Sequence, residues 1–332
     1  MKKHLLSAML MCILILSSGC MKLPQNSELS STKIVLGSGP EDMVLDTLQG
    51  NSRLLISCAS RREGQAEFGE IVSYDLGSGK IDTLERRGEP DGIVFRPHGV
   101  YLEGDKLYII SHEQEPDVHI VLVYIVKDNL LIFSDIVRSQ LLNSPNALVT
   151  GPSGEIYVVN DSGKRGSLAE KIFRLKKASV VRFDKIGGDG NWKGRLVAGQ
   201  LGYPAGINRI GNKIYAGDAV LHKIHVYKIS DDGLSPQSEI ADIKGNDNIR
   251  IHEGNLLSPG HVKPFKFVGH AKDAEKKSPV EVFLVDPESG SHKMLFFDDG
   301  NRISGGSTAI IFENKLYICQ VFEPYILKVD LN

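Results

Sequence analysis

The sequence predicts an all-β fold, a six-bladed β-propeller, from three observations. A four-residue pattern recurs six times between residues 40 and 309: a turn-forming residue, a variable residue, a small or polar residue, and an apolar residue. A short β-rich run follows each copy, and a further run usually follows that one. The copies are 57, 48, 59, 42 and 60 residues apart, and strand-rich repeats at such intervals are typical of propellers.

The first strand of each unit is expected to begin at the four-residue pattern. In chain order its variable residues are Glu41, His98, Asn146, Ala205, Asp247 and Ser307. The second strands are predicted at 53–58, 106–111, 155–160, 213–218, 255–260 and 315–320. The third strands are predicted at 70–76, 120–126, 180–186, 223–229, 280–286 and 324–330. One such unit cannot bury its faces alone, so the units are expected to stack into a single ring.

Closure of the ring needs one more strand, because the last unit ends at Asn332 with at most three. The early segment 32–39, "TKIVLGSG", is predicted to supply it. An open two-domain β-sandwich is the alternative architecture, and it accounts less well for the sixfold pattern.

The first twenty residues predict a secretory signal peptide. Lys2 and Lys3 precede an apolar run over 5–16 that is too short for a stable membrane span. The end of this segment resembles a bacterial lipoprotein signal, which implies that Cys20 becomes the lipidated first residue. An ordinary cleaved signal peptide is the alternative. Residues 21–31 are then a tether and 32–332 a single propeller domain, held by a lipid anchor in the bacterial cell envelope, as a periplasm-facing or outer-membrane lipoprotein.

Charge and cysteine content narrow the classes of partner and cross-link. The formal net charge of -2 gives no electrostatic reason to expect a nucleic acid partner. Cys12 leaves with the signal, so Cys58 and Cys319 are the cysteines that the propeller itself contains. Both lie in apolar strand patterns. Two buried thiols and a disulfide between the first and last units both fit, since spacing does not determine connectivity.

The variable residues of the repeat predict a cation site. The first strand of a propeller blade lines the central channel, so these residues are expected to ring one end of it. They are mostly carboxylate, amide, imidazole and hydroxyl side chains, and Asn248 adds another amide. Calcium prefers six to eight such oxygen ligands, at about 2.3–2.6 Å. Asp, Asn and Ser are also common in turns, where they form local hydrogen bonds. That explains each one singly but explains a ring poorly, so the pattern favours a metal.

The repeats also carry a resemblance to a known family. The most specific segments are "GPEDMVL" (39–45), "FRPHGVYL" (95–102), "SPNALVTGPSGEIYVVND" (144–161), "AGIN" (205–208), "NDNI" (246–249) and "GGSTAIIFENKLYICQVF" (305–322). They resemble the paraoxonase/arylesterase family, six-bladed propeller hydrolases of lactones and esters that depend on calcium. The chain is more loosely similar to the gluconolactonase (senescence-marker-protein-like) group.

The resemblance implies two calcium sites, with different degrees of match. For the channel calcium, the implied ligands are Glu41, Asn146, Asp247 and Asn248, and Ala205 stands where the family has a fifth ligand, an asparagine. A second, structural calcium would use Asp42 and the backbone carbonyl of Val100. The remaining carboxylate of that site falls on Ala147.

The resemblance also implies a reaction. His98 matches the histidine that activates the attacking water, His112 matches its partner, and His261 and Ser307 are placed in the substrate pocket. Calcium would polarise the carbonyl of a small lactone or aryl ester and stabilise the developing oxyanion. A non-catalytic propeller, in which calcium staples the fold and the channel or faces bind a ligand or protein, is the alternative. Ala205 and Ala147 favour it.

Overall fold

The computed structural model describes residues 23–331, except 51, 67, 113–117, 168, 171–172, 174 and 188–190. The predicted signal peptide and the predicted lipidation site, Cys20, lie outside this range. Within it, no helix has the length and apolar character needed to cross a membrane.

The described chain forms six sheets, arranged as the predicted six-bladed propeller. Blade 1 comprises β2 (Pro40–Asp46), β3 (Arg53–Ala59), β4 (Gly69–Asp75) and β5 (Ile81–Thr83); blade 2, β6 (Glu85–Arg87), β7 (Pro97–Glu103), β8 (Lys106–His112), β9 (His119–Lys127) and β10 (Leu130–Arg138); blade 3, β11 (Pro145–Thr150), β12 (Ile156–Asn160), β13 (Ala178–Ile186) and β14 (Asn191–Leu201). Blade 4 comprises β15 (Pro204–Ile210), β16 (Lys213–Asp218), β17 (Lys223–Ser230) and β18 (Gly233–Ala241); blade 5, β19 (Arg250–His252), β20 (Asn255–His261), β21 (Val280–Val285) and β22 (His292–Asp298); blade 6, β1 (Ser31–Val35), β23 (Gly306–Phe312), β24 (Lys315–Gln320) and β25 (Tyr325–Asp330).

The first strand of each repeat lies at the inner edge of its sheet. These inner strands are β2, β7, β11, β15, β19 and β23. Each contacts the next around the channel, and β23 contacts β2, so the ring is closed. The described residues also form a helix, α1 (Pro264–Lys272), and a short 3-10 turn, Leu48–Gly50.

The N-terminal strand closes the ring, as the sequence predicts. β1 pairs antiparallel with β25, from Ser31 opposite Val329 to Val35 opposite Tyr325. The short strand β6 was not predicted: it joins the outer edge of blade 2 in parallel with β10. Its three residues, Glu-Arg-Arg, are all charged, so they carry no apolar alternation from which a strand could be inferred.

Apolar clusters between neighbouring blades form the core. One cluster joins blades 1 and 2, another joins blades 3 and 4 and includes the fully buried Tyr157, and a third joins blades 4 and 5 and includes the fully buried Tyr215. Each large apolar side chain buried in this way contributes about 1.5–3 kcal/mol. Cys58 and Cys319 lie together in one such cluster as buried free thiols, so the unbonded alternative is the one observed.

Candidate active site

β-Bulges place the six variable residues around the channel. Five inner strands shift register at the variable residue, between Pro40 and Asp42, Pro97 and Val100, Pro145 and Ala147, Pro204 and Gly206, and Gly306 and Ala309. In blade 5 the ladder is interrupted instead, with one isolated bridge at Asn246 before β19 begins. A bulge leaves one residue out of the ladder and redirects its side chain. Proline suits the first position because it has no N–H for the ladder.

Glycines beside the bulges let adjacent inner strands approach closely. A Cβ on Gly99 would lie 2.3 Å from the carbonyl oxygen of Asn146, and one on Gly206 would lie 2.2 Å from that of Asp247. The ring of variable residues is therefore narrow, and all six of its side chains are at least nine-tenths buried.

Glu41 forms the charged centre of the ring together with Arg61. Oε2 of Glu41 lies 2.7 Å from Nη2 of Arg61, and Oε1 lies 3.1 Å from Nε2 of His98. Nη1 of Arg61 lies 3.0 Å from Nδ1 of His98. Burial opposes ionisation of Glu41, but Arg61 and His98 outweigh it and lower the pKa of the carboxyl to about 2. Glu41 is therefore an anion at neutral pH.

Three histidines form a row that leads away from Glu41. The ring centroids of His98 and His112 are 4.8 Å apart, as are those of His112 and His119. Nδ1 of His112 lies 3.1 Å from Nδ1 of His119 and 2.7 Å from Nη1 of Arg165. Burial, reinforced by Arg165 and the neighbouring histidines, holds the pKa of His112 well below its ordinary value. His112 is thus a neutral ring in contact with the predicted base.

Asp161, which the sequence analysis did not select, orients Asn146. Nδ2 of Asn146 donates to Oδ2 of Asp161 over 3.2 Å. The other oxygen of Asp161 accepts from the hydroxyls of Ser144 at 2.5 Å and Ser162 at 2.7 Å. The side-chain N–H of Asn146 thus donates to Asp161, while its buried Oδ1 has no hydrogen-bond partner among the described residues.

Asp247 and His261 form a pair in blade 5. Nε2 of His261 lies 2.9 Å from Oδ2 of Asp247. The imidazole stacks on Phe267 of helix α1, with ring centroids 4.0 Å apart and planes 30° apart. The structure therefore places His261, a predicted pocket residue, next to the ring residue Asp247, with the side chain of Phe267 stacked on it.

Ser307 faces the backbone of the next blade. Its hydroxyl donates to the carbonyl oxygen of Glu41 over 2.5 Å, and the side chain is fully buried. Ser307 thereby joins blade 6 to blade 1 and fixes the strand that carries Glu41. Ser307, a predicted pocket residue, therefore lies in the ring, and its hydroxyl positions the backbone of Glu41.

The donor set around Asn248 fits an oxygen-loving cation. Asn248 is fully buried, and neither its Oδ1 nor its Nδ2 has a hydrogen-bond partner among the described residues. Oδ1 of Asn146 and Oε2 of Glu41 likewise make no aligned hydrogen bond there. Buried polar groups are almost always partnered, so each such atom needs an explanation. No group of three or more His, Cys, Asp or Glu in the described residues is arranged so that it could hold a metal ion, so any ion here depends on asparagine oxygens.

Asp42 and Val100, predicted for a second ion, contact a guanidinium instead. Nη2 of Arg250 lies 2.5 Å from Oδ1 of Asp42 and 2.9 Å from the carbonyl oxygen of Val100. Asp42 and Val100 lie close together, as the sequence predicts, but both contact the guanidinium of Arg250. These contacts do not fit an additional ion.

The chain is similar in sequence to known proteins. A family model described as arylesterase matches residues 63–329. Human serum paraoxonase/lactonase 3 is 23% identical over 308 residues, covering 86% of this chain and 84% of that protein. Human serum paraoxonase/arylesterase 1 is 24% identical over 324 residues, covering 90% and 88%.

Solved structures support the same fold at lower identity. A gluconolactonase from Xanthomonas campestris superimposes with a TM-score of 0.58 at 14% identity, covering 93% of this chain and 91% of that one. A luciferin-regenerating enzyme gives a TM-score of 0.59 at 11% identity, covering 91% and 95%. The family model spans most of the chain and five of the six ring positions, and the chain belongs to the arylesterase family.

Proposed function

We propose that this protein is a calcium-dependent hydrolase of lactones or aryl esters, acting in the propeller channel. The observation that carries the proposal is Asn248, a fully buried amide whose two polar atoms have no partner among the described residues and which directly follows the ring residue Asp247 in the chain. Family membership and relatives named as paraoxonase, lactonase and arylesterase support a hydrolase of this type.

The residues that would hold the ion are Glu41, Asn146, Asp247 and Asn248. They offer two carboxylates and two amides, which is the ligand chemistry of calcium, and water can fill a place that Ala205 leaves without an oxygen. Bound calcium would supply a Lewis acid for a substrate carbonyl and a positive charge for the oxyanion. Asp161 and His261 would fix the side chains of Asn146 and Asp247, as partners of metal ligands commonly do.

His98 is the proposed general base. Arg61 donates to its Nδ1, so the neutral imidazole carries its proton on Nε2, the atom that faces Glu41. The lone pair on Nδ1 is then the one able to take a proton from water, once the guanidinium of Arg61 is displaced from it. His112, a neutral ring 4.8 Å away, is positioned to orient His98 or to pass the proton on.

A non-catalytic, calcium-stapled propeller that binds a ligand or protein is the second candidate. Two observations favour it: Ala205 takes a ring position without an oxygen, and Arg61 occupies both Glu41 and His98. Under this alternative the same ion would bind, but no ester would turn over.

An assay on the purified full-length chain separates the two. A small lactone and phenyl acetate are supplied with calcium, with a chelator, and with the variants Glu41→Gln and His98→Gln. Glu155→Gln is the matched control, because Glu155 is equally buried but lies outside the ring. We expect turnover that the chelator and both ring variants abolish and that Glu155→Gln retains. Absence of chelator-sensitive turnover would refute the enzyme, and full turnover in Glu41→Gln would refute the metal ligand.

We further propose that the chain is exported and lipidated at Cys20, which places the channel in the cell envelope. The basic, apolar and small-residue regions of the first twenty residues support this. Expression in a bacterium with labelled fatty acid should label the membrane-bound wild-type chain. Cys20→Ser should be unlabelled and leave the membrane fraction, and a labelled Cys20→Ser variant would contradict the proposal.

A further inference from the structure

We propose that Arg250 is a built-in cation that takes the place of a second, structural calcium, so that the propeller itself needs no ion at that position. The inference concerns the stability of the fold and is independent of the proposed hydrolase activity. It starts from the contacts of one side chain, which is about nine-tenths buried.

The guanidinium of Arg250 contacts the oxygens that a second ion would use. It lies 2.5 Å from Oδ1 of Asp42 and 2.9 Å from the carbonyl oxygen of Val100. Nε of Arg250 donates to the carbonyl oxygen of Met43 over 2.8 Å. A planar guanidinium with five N–H donors can satisfy a carboxylate and several carbonyls together, which an ammonium group does less well.

Both oxygens of the Asp42 carboxylate already have partners in this chain. Oδ2 accepts from the N–H of Val100 over 2.8 Å, and Oδ1 accepts from the N–H of Met43 over 2.9 Å. The hydroxyl of Thr308 donates to Oδ1 over 2.7 Å. In contrast to Asn248, every oxygen of this side chain is accounted for.

Charge balance explains why an arginine suffices. A divalent ion between Asp42 and a second carboxylate would be neutral overall, but the position of that second carboxylate is Ala147. With one carboxylate left, a divalent ion would leave an uncompensated buried positive charge, whereas a guanidinium balances it one to one. Burial raises the pKa of the Asp42 carboxyl, and Arg250 counters that shift. An unpaired buried charge is costly, and Arg250 supplies the single positive charge that the single carboxylate of Asp42 requires.

Arg250 also connects inner strands of blades that are not neighbours in the ring. It extends from β19 in blade 5 to β2 in blade 1 and β7 in blade 2, across the channel. Thr308, from β23 in blade 6, joins the same carboxylate. The Arg250–Asp42 pair thus connects four blades, which is the role that a central structural ion would have.

The first test counts calcium in the full-length protein in detergent, by elemental mass spectrometry after equilibration with calcium. We expect at most one ion per wild-type chain and none in Glu41→Gln, whose missing carboxylate belongs to the channel site. An ion that remains in Glu41→Gln would overturn the inference. A count of zero in both would refute the proposed channel ion and leave the inference on Arg250 standing.

The second test uses variants, and its readouts are the melting temperature and the ion count. Arg250→Met keeps the apolar stem and is expected to melt about 10 °C lower, in calcium and in chelator alike. Arg250→Lys should lie between it and the wild type. The double variant Ala147→Asp/Arg250→Ala should bind one calcium more than the wild type and recover stability only with calcium. The inference would be overturned if Arg250→Met melted at the wild-type temperature, or if the double variant folded without binding an additional ion. If the double variant does not fold, the ion count of the wild type and the melting temperature of Arg250→Met decide.

Discussion

Replacement of Asn248 by alanine tests the channel ion through protein stability, without any substrate. The buried amide of Asn248 makes no hydrogen bond with the described residues. Such a group costs about 1–3 kcal/mol. Asn248→Ala removes that cost, and the small cavity it leaves offsets part of the gain. We therefore expect the variant to be more stable than the wild type in chelator, by about 1–2 kcal/mol. That difference corresponds to a melting temperature about 2–6 °C higher.

In calcium the sign of the effect should reverse. An ion at one hundred times its dissociation constant stabilises the wild type by about 2.7 kcal/mol, and loss of a ligand forfeits part or all of this. Asn208→Ala is the matched control: Asn208 is also buried, but its amide donates to the carbonyl oxygen of Ile249 over 2.8 Å and accepts from the N–H of Arg209 over 2.8 Å. It should destabilise the protein equally in both conditions. Differential scanning calorimetry gives all the values, and destabilisation of Asn248→Ala in chelator would refute the reasoning.

Three further predictions concern the same ring and its surroundings. Gly99→Ala should destabilise the fold by about 3 kcal/mol or more in urea unfolding, because its Cβ would lie 2.3 Å from the Asn146 carbonyl oxygen; wild-type stability would contradict the close approach. The pKa of Glu41 is lowered from 4.5 to about 2, so its contribution is complete above pH 4.5 and is lost as the pH falls towards 2; Glu41→Gln should flatten that part of the stability profile, and an unchanged profile would count against the shift. Burial raises the pKa of Cys58 and Cys319, so a thiol reagent should label them only after unfolding, and rapid labelling of the native chain would contradict their burial.

The blade repeat made the propeller predictable, because the same four-residue pattern, followed by short β-rich runs, recurs six times along the chain. Five of the six inner strands begin with a bulge at the variable residue, and the turn-forming residue before it is visible in the sequence. The ring positions of Glu41, Asn146 and Asp247 follow from that spacing alone. The closing strand was equally predictable, since the last unit lacks a fourth strand.

Residues that reach the ring from outside the repeat were not predictable in this way. Arg61 and Arg165 lie on connections between strands, where no periodicity fixes the direction of a long side chain. Asp161 did have a signal. It follows β12 directly, and β8 and β20 end in the predicted site residues His112 and His261. The ends of the second strands thus form another polar layer beside the ring, and comparison of the blades at those positions would have found Asp161.

Two arginines contact predicted metal ligands in this channel, yet they lead to opposite conclusions. Arg250 meets Asp42 where every oxygen of the carboxylate is satisfied, so the guanidinium completes the site. Arg61 contacts Glu41, whereas Asn248, a predicted ligand of the same ion, has polar atoms without a partner among the described residues. Charge alone does not distinguish the two pairs, because each is one anion with one cation. The unsatisfied amide distinguishes them, since folding tolerates a buried polar group without a partner mainly where a ligand supplies one. We therefore propose that an ion binds at the channel end at Glu41 and not at Asp42.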